Sequence, residues 1–412
     1  MELVETLNRT IKLAMDEGKA GSYDEATALF TTFKLRISVG PGFSKCPAAE
    51  AALLTLLNAG PRTFLGGIQV DGPLKEQFTQ AWFAGLTLAE VAGEFGVATT
   101  PDAQGAVLPT LVVGAGTAGT GEFSLGLGLS VVGFELSPDA LGSCGLGAPV
   151  EVGVAAAGAA LNEAFQHVYR QAPLAGHREV RLRLPVQGVP RPVPSVWTVG
   201  LGHLGQAFLW TAALAGHTRL WGSVRLTDYD IVSRSSLSTS LLVQAKDVGR
   251  KKVDIVAERL EALGVSVTRD YHRLSFDDGS VRSDEELAVI AVDNVALRRA
   301  LDRLQAQRVL EAGIGDGIDA FTRTQLHEFP GPRKARDVWM GDDVQSSQAI
   351  DISKPAYQSL LKQSGDECGT TLVAGRSVAT PFVGSFAGAL LSWLAGHLPG
   401  TQRAWNYDVN SL

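Results

Sequence analysis

The sequence predicts an α/β protein: a doubly wound, mostly parallel sheet fills its second half, preceded by a smaller α/β or α+β domain. Three observations carry this. Residues 195–230 run from an apolar strand-like stretch, Val196-Trp197-Thr198-Val199, into Gly200-Leu201-Gly202-His203-Leu204-Gly205. A helix-like apolar run follows, then a second strand-like stretch, Val224-Arg225-Leu226, ending on Asp228 and Asp230. Strand-like and helix-like segments keep alternating beyond it. Composition agrees, because 45% hydrophobic residues, only 19% charged residues and 46 glycines suit buried parallel strands.

In chain order, residues 3–17 and 23–34 have helical spacing, 48–57 reads as an apolar helix, and 73–95 as further helix. Residues 108–116 read as a strand ending in a glycine turn, and 124–154 as short buried strands. Residues 155–170 (AAAGAALNEAFQHVYR) form an amphipathic helix pattern. Residues 185–194, PVQGVPRPVP, hold four prolines and suit a semi-rigid connector. The expected domains are therefore 1–184 and 195–412, joined by 185–194. In the second, a helix over 247–263 opens on GRKKVD and a strand covers 265–271. Another strand, 286–292, stops on Asp293-Asn294, followed by a basic helix (295–307) and a strand (308–315). Residues 317–329 alternate like an antiparallel pair or edge. Residues 330–380 are weakly patterned, which predicts a functional or a mobile loop carrying Cys368, and a closing helix starts at Pro381.

The glycine turn has a physical reading. Glycines allow a tight turn and close approach of phosphates, the helix N-terminus presents free N–H groups, and an acid after the second strand can bond a ribose hydroxyl. Gly200, Gly202, Gly205 and Asp228 thus predict nucleotide binding.

Other classes are disfavoured. A net charge of −7 offers no nucleic-acid-binding surface and no attraction to anionic membranes. Residues 377–398 carry no Asp, Glu, Lys or Arg, but Pro381 shortens the helix and its Gly, Ala and Ser content suits a close-packed core. Cys46, Cys144 and Cys368 form no CxxC pair, so neither a structural zinc site nor a disulfide framework is expected; Cys46 and Cys144 read as structural. The opening MELVETLNRT has early acids and no apolar core, so no signal peptide is expected, and the location reads as cytoplasmic.

A dehydrogenase would need one acid after the second strand and nothing more. This chain adds Asp228-Tyr229-Asp230-Ile231-Val232, Ser235-Ser236-Leu237, Gly249-Arg250-Lys251-Lys252, Asp293-Asn294, and Pro381-Phe382-Val383-Gly384. That succession, spanning about residues 195–396, resembles the Rossmann-like adenylation domain of the ubiquitin-activating enzyme superfamily (ThiF/MoeB/HesA-like adenylyltransferases). The resemblance implies a bacterial activating enzyme for a ubiquitin-like protein, with ATP and Mg²⁺ as cofactors. Its partners would be the C-terminal tail of that protein and a conjugating enzyme. Asp293 would anchor Mg²⁺, Lys252 would hold phosphate, Asp228 the ribose, and Asp230 would do polar work at the ATP site. Cys368, in a loop before the closing helix, would take the acyl group as a thioester. His203 has no role in the pattern and reads as structural.

The departures from the pattern are specific. Ser236 replaces the asparagine of S-N-L, and Ser238-Thr239-Ser240 replaces N-R-Q, so the phosphate-touching arginine is absent at Thr239. Arg234, five residues earlier, is the nearest substitute in sequence. By analogy, the N-terminal half would be an inactive adenylation-like half, smaller relatives achieving the same pairing as homodimers through the adenylation domain. The alternatives are an adenylyltransferase for a sulfur-carrier protein and a non-catalytic scaffold.

Overall fold

A computed structural model describes residues 5–100, 108–116, 123–184, 193–277, 279–315, 317–339, 350–397 and 402–412. Most of the proline-rich connector, 185–192, lies outside them.

The N-terminal half opens with short helices α1 (Lys12–Asp16) and α2 (Tyr23–Phe30). There follow β1 (Lys34–Val39), α3 (Pro47–Thr63), β2 (Gly67–Asp71), α4 (Leu88–Glu94) and β3 (Thr110–Val113). Next come β4 (Ser124–Ser130), β5 (Gly133–Pro138), the two-residue β6 (Ser143–Cys144), α5 (Val150–Arg170) and β7 (Val180–Arg183). The sheet order is β2-β1-β3-β4-β5-β7, with β6 on β4. Strands β1 to β4 are parallel, and β5 and β7 run antiparallel to their neighbours.

Several expectations need correction here. Residues 73–95 contain one true helix, α4, and a 3₁₀ turn at Ala81–Phe83 rather than continuous helix. The helix expected over 155–170 begins five residues earlier. Strands β1 and β2 had no counterpart in the sequence reading, although Leu35, Ile37 and Val39 alternate with polar residues as a half-buried strand requires. Cys46 and Cys144 are paired, their Cα atoms 6.4 Å apart, so the expectation of no disulfide fails. Their separation of 98 residues leaves no local spacing to read.

The C-terminal half contains β8 (Ser195–Val199), α6 (His203–Leu214), β9 (Ser223–Thr227), α7 (Lys252–Glu261) and β10 (Val267–Asp270). It continues through β11 (Val281–Arg282), β12 (Leu287–Ile290), α8 (Val295–Arg299), β13 (Leu304–Gln305), β14 (Arg308–Ile314) and β15 (Arg323–Phe329). It closes with α9 (Ala335–Val338), α10 (Pro355–Ser364), α11 (Glu367–Ala374), α12 (Pro381–Gly396) and β16 (Ala404–Asp408). Its sheet order is β10-β9-β8-β12-β14-β15-β16, five parallel strands and then two antiparallel ones. This is the doubly wound α/β class, and both halves carry the same parallel-then-antiparallel plan.

Two further expectations change. The basic helix over 295–307 is only α8 plus a 3₁₀ turn before β13. The poorly patterned 330–380 stretch contains α9, α10 and α11 among its described residues, and Cys368 sits in the first turn of α11 rather than in a loop.

Helix α12 joins the halves. All 16 of its residues are buried, and it packs on α6 of its own half and on α3 and α5 of the other. A Cβ at Gly158 of α5 would stand 2.6 Å from the Phe382 carbonyl oxygen, and one at Gly388 of α12 2.5 Å from the Ala207 carbonyl carbon, so the backbones cross closely. No helix among the described residues is long and apolar enough to cross a membrane.

Candidate nucleotide site

The site forms where β8, β9 and β12 end together, the crevice at which open α/β sheets bind ligands. Strand β8 gives way to Gly200, whose φ of +88° is in the left-handed region, and the Gly200 N–H donates to the Thr227 carbonyl (2.9 Å). Helix α6 begins at His203. Asp228, 8% exposed, accepts the Leu201 N–H at 2.6 Å and the Asp230 N–H at 2.8 Å. The carboxylate expected to hold ribose therefore also fixes the glycine turn to the end of β9. Each of its oxygens keeps a lone pair for a further donor.

After Asp230 the chain folds back on itself. The Val232 N–H donates to Arg250 O and the Gly249 N–H to Val232 O, both at 2.8 Å, and the Lys252 N–H donates to Asp230 O at 3.1 Å. This small ladder delivers Lys252 to the start of α7, where its ammonium donates to Asp230 Oδ2 (2.8 Å). The lysine side chain is 12% exposed and the aspartate 46%. Asp230 is thus the counter-ion of Lys252.

Asp293 lies just past β12. The helix cap is its neighbour Asn294, which accepts the Leu297 N–H at 2.9 Å, so Asp293 is left exposed at the crevice. No hydrogen bond or ion pair engages its carboxylate among the described residues. The strand end beside it is fixed by Arg298, which donates to Val292 O (2.8 Å) and pairs with buried Glu311 (3.2 Å).

These groups enclose a cavity of about 260 Å³ lined by Gly200, Gly202, Asp228, Asp230, Lys252 and Asp293. Gly205 lies behind the turn, where a Cβ would meet Gly200 O at 1.9 Å. His203 also lines the cavity. Burial drives its pKa down to about 3, so it is neutral, and its Nε2 lies where a Cβ at Gly384 would be, 1.9 Å away. Gly384 of the P-x-V-G turn makes room for this ring.

Several lining residues were not foreseen, among them the arginines Arg9, Arg273, Arg298 and Arg376. Arg9 arrives from the N-terminal segment and donates from Nε to Ser377 O (3.0 Å). Arg376 lies on the connector between α11 and α12. Arg9 and Ser377 are 368 residues apart, a distance no local pattern reports, whereas an arginine abutting the closing helix was visible in the sequence. Arg234 lines a different cleft, with Arg62 and Gln244. Cys368 is free and exposed, and lies outside the cavity lining.

Among the described residues, no cluster of three or more His, Cys, Asp or Glu could hold a metal by itself. A single unpaired carboxylate such as Asp293 would need substrate phosphates to complete a Mg²⁺ site, the usual arrangement for that ion.

Family models of the BilD N-terminal and C-terminal domains match residues 34–184 and 193–395. The bacterial E1-like protein BilD of Collimonas sp. (strain OK412) is 33% identical over 98% of this chain and 91% of its own length. The chain belongs to the BilD family of bacterial E1-like proteins. The BilD C-terminal match contains the whole glycine turn, Lys252, Asp293 and Cys368, and its N-terminal match contains the paired Cys46 and Cys144. Arg9 precedes both. Among solved structures, E. coli MccB with ATP aligns at a TM-score of 0.32 and 13% identity, covering 48% of this chain and 54% of that one. PaaA aligns at 0.25 and 23%, covering 32% and 40%. The aligned part therefore spans about half or less of those solved chains.

Proposed function

We propose that this BilD-family chain activates the C-terminal carboxylate of a ubiquitin-like protein by adenylation with ATP, then carries it as a thioester on Cys368 for delivery to a conjugating enzyme. The observation that carries the reading is the convergence of the glycine turn, Asp228, Lys252 and Asp293 on one cavity in a chain of an E1-like family.

The nucleotide's phosphates lie over Gly202 at the start of α6, where the first-turn N–H groups have no helical partner. Asp228 accepts from the ribose hydroxyls. Lys252 exchanges Asp230 for a phosphate oxygen, and Asp293 would hold Mg²⁺, which would neutralise charge on the phosphates. A carboxylate oxygen of the partner's tail attacks the α-phosphorus. The bond to the β-phosphate breaks, pyrophosphate leaves, and an acyl-adenylate remains. The Cys368 thiol, having given its proton to solvent, then attacks the acyl carbon and AMP departs with the electrons of the C–O bond. Cys368 lies in the first turn of the helix whose trailing connector, with Arg376 and Ser377, walls the cavity. The N-terminal half acts as the inactive half of the pair. Its helices α3 and α5 cover α12, and it contributes Arg9.

The test is ATP–pyrophosphate exchange with ubiquitin-like proteins encoded beside the gene, in wild type and Cys368→Ala. Exchange in both, with a DTT-sensitive adduct in the wild type alone, supports the reading. Exchange without a thiol-dependent adduct favours a sulfur-carrier adenylyltransferase. Absence of exchange favours the scaffold.

A further inference from the structure

A second cavity of about 240 Å³ adjoins the first and shares Arg9, Gly202, His203, Asp230, Lys252 and Arg376 with it. Its outer wall is the segment in which the resemblance would place an arginine. Here that wall presents the hydroxyl residues Ser233, Ser235, Ser236, Thr239 and Ser240.

The wall is held rigidly. The Ser233 hydroxyl bonds those of Ser235 (2.8 Å) and Ser236 (3.2 Å) within a 3₁₀ turn, and the Ser240 N–H donates to Ser236 O (2.9 Å). Arg62 reaches in from α3 and donates to Leu237 O (2.6 Å), Ser240 O (2.9 Å) and Val243 O (3.1 Å). Its hydrogen-bond partners among the described residues are carbonyls and Asn58, with no carboxylate. On the other side, Gln206 Oε1 accepts the Leu242 N–H (2.9 Å). A hydroxyl-bearing loop fixed from both sides is pre-organised for a ligand.

Charge on the cavity is unbalanced. The cations Arg9, Lys252 and Arg376 outnumber the lining carboxylates Glu5 and Asp230; Asp230 pairs with Lys252, while Arg376 is exposed and its guanidinium has no partner among the described residues. A partnerless guanidinium facing a row of hydroxyls matches a phosphate, which accepts bidentate N–H bonds and several O–H donors.

We propose that this second cavity is the subsite for the β- and γ-phosphates of the nucleotide, and that Arg376 is the arginine that binds them. It supplies from the α11–α12 connector the contact missing at Thr239. This rests on the nucleotide reading of the first cavity. When the bond to the α-phosphate breaks, the same groups hold the departing pyrophosphate, so Arg376 serves the leaving group rather than the adenylate.

The experiment compares MgATP and AMP binding by titration calorimetry on the full chain, in wild type, Arg376→Ala and Arg376→Lys. Loss of a charge-assisted phosphate contact predicts roughly a tenfold or greater fall in ATP affinity for Arg376→Ala. AMP affinity should stay within about twofold, which also shows that the variant is folded, and Arg376→Lys should recover part of the loss. Equal losses for ATP and AMP, or no loss for either, overturn the assignment. A wild type that binds neither nucleotide refutes the nucleotide reading itself, and the subsite with it. That failure is distinguishable because it needs no variant.

Discussion

Gly202 and Gly205 share one turn, yet alanine should act on them through different physics. A Cβ at Gly205 would stand 1.9 Å from Gly200 O and 3.0 Å from Gly200 C, against a closest real approach of about 3.0 Å. Relief requires α6 and the end of β8 to separate by roughly an ångström, which breaks the packing and hydrogen bonds that place Leu201 on Asp228. Overpacking of this kind costs about 1–3 kcal/mol, occasionally more. A Cβ at Gly202 meets nothing within 4 Å, and the residue lines the cavity, so its alanine is tolerated by the fold but stands where phosphate must approach. Gly205→Ala should therefore lower the thermal midpoint measurably. Gly202→Ala should leave it within a degree or so while ATP affinity falls by about tenfold or more. Differential scanning calorimetry and ATP titration read the two effects separately. Equal destabilisation by both substitutions, or wild-type ATP affinity in Gly202→Ala, would refute the division of labour.

Three other outcomes are expected. Lys252→Ala and Asp293→Asn should each reduce ATP–pyrophosphate exchange by about 100-fold or more, the first by removing a cation that faces the phosphates and the second by removing the carboxylate charge that would hold Mg²⁺; near-normal exchange in either would remove that residue from the site. His203 has its pKa lowered by burial to about 3 from 6.5, so between those values the unfolded chain takes up a proton that the folded chain refuses. The stability this contributes is intact above pH 6.5 and is lost as pH falls towards 3, at up to about 1.4 kcal/mol per pH unit. In His203→Gln, urea midpoints should fall less steeply across that window, and parallel curves would contradict the burial argument. Arg298→Met removes a charge paired with Glu311, which His327 also contacts at 2.9 Å, and should destabilise by about 3 kcal/mol. Unfolding in urea measures it, and a neutral result would mean that His327 suffices.

The BilD C-terminal match covers the part of the chain that was most legible in sequence. Strand, glycine turn, helix and acid follow one another within residues 195–230, and each is a local backbone demand: alternation, a left-handed φ at Gly200, and an apolar helix. Such demands leave local marks. Local marks also explain the misreadings. Residues 295–307 carry helix-forming arginines and leucines, but Arg298 is drawn to Val292 O and Glu311 instead, and the chain turns into β13 after α8. In 330–380 the helices α9 to α11 are too short for their periodicity to stand out, and they dock by contacts such as Tyr357 on Asp16 and Lys354 on Asp16 O (2.7 Å).

By itself, then, the sequence determined the α/β class, the glycine turn and the candidacy of Asp228, Lys252 and Asp293, because spacing along one strand or helix end carries that information. Only the tertiary structure decided which cations complete the cavity. Arg9 and Arg376 meet around Ser377 across nearly the whole chain, and Arg62 from one half holds the hydroxyl segment of the other. Helix packing, not sequence neighbourhood, brings them together: α12 is wedged between the halves, and the side chains on either side acquire a common cavity only once it is buried.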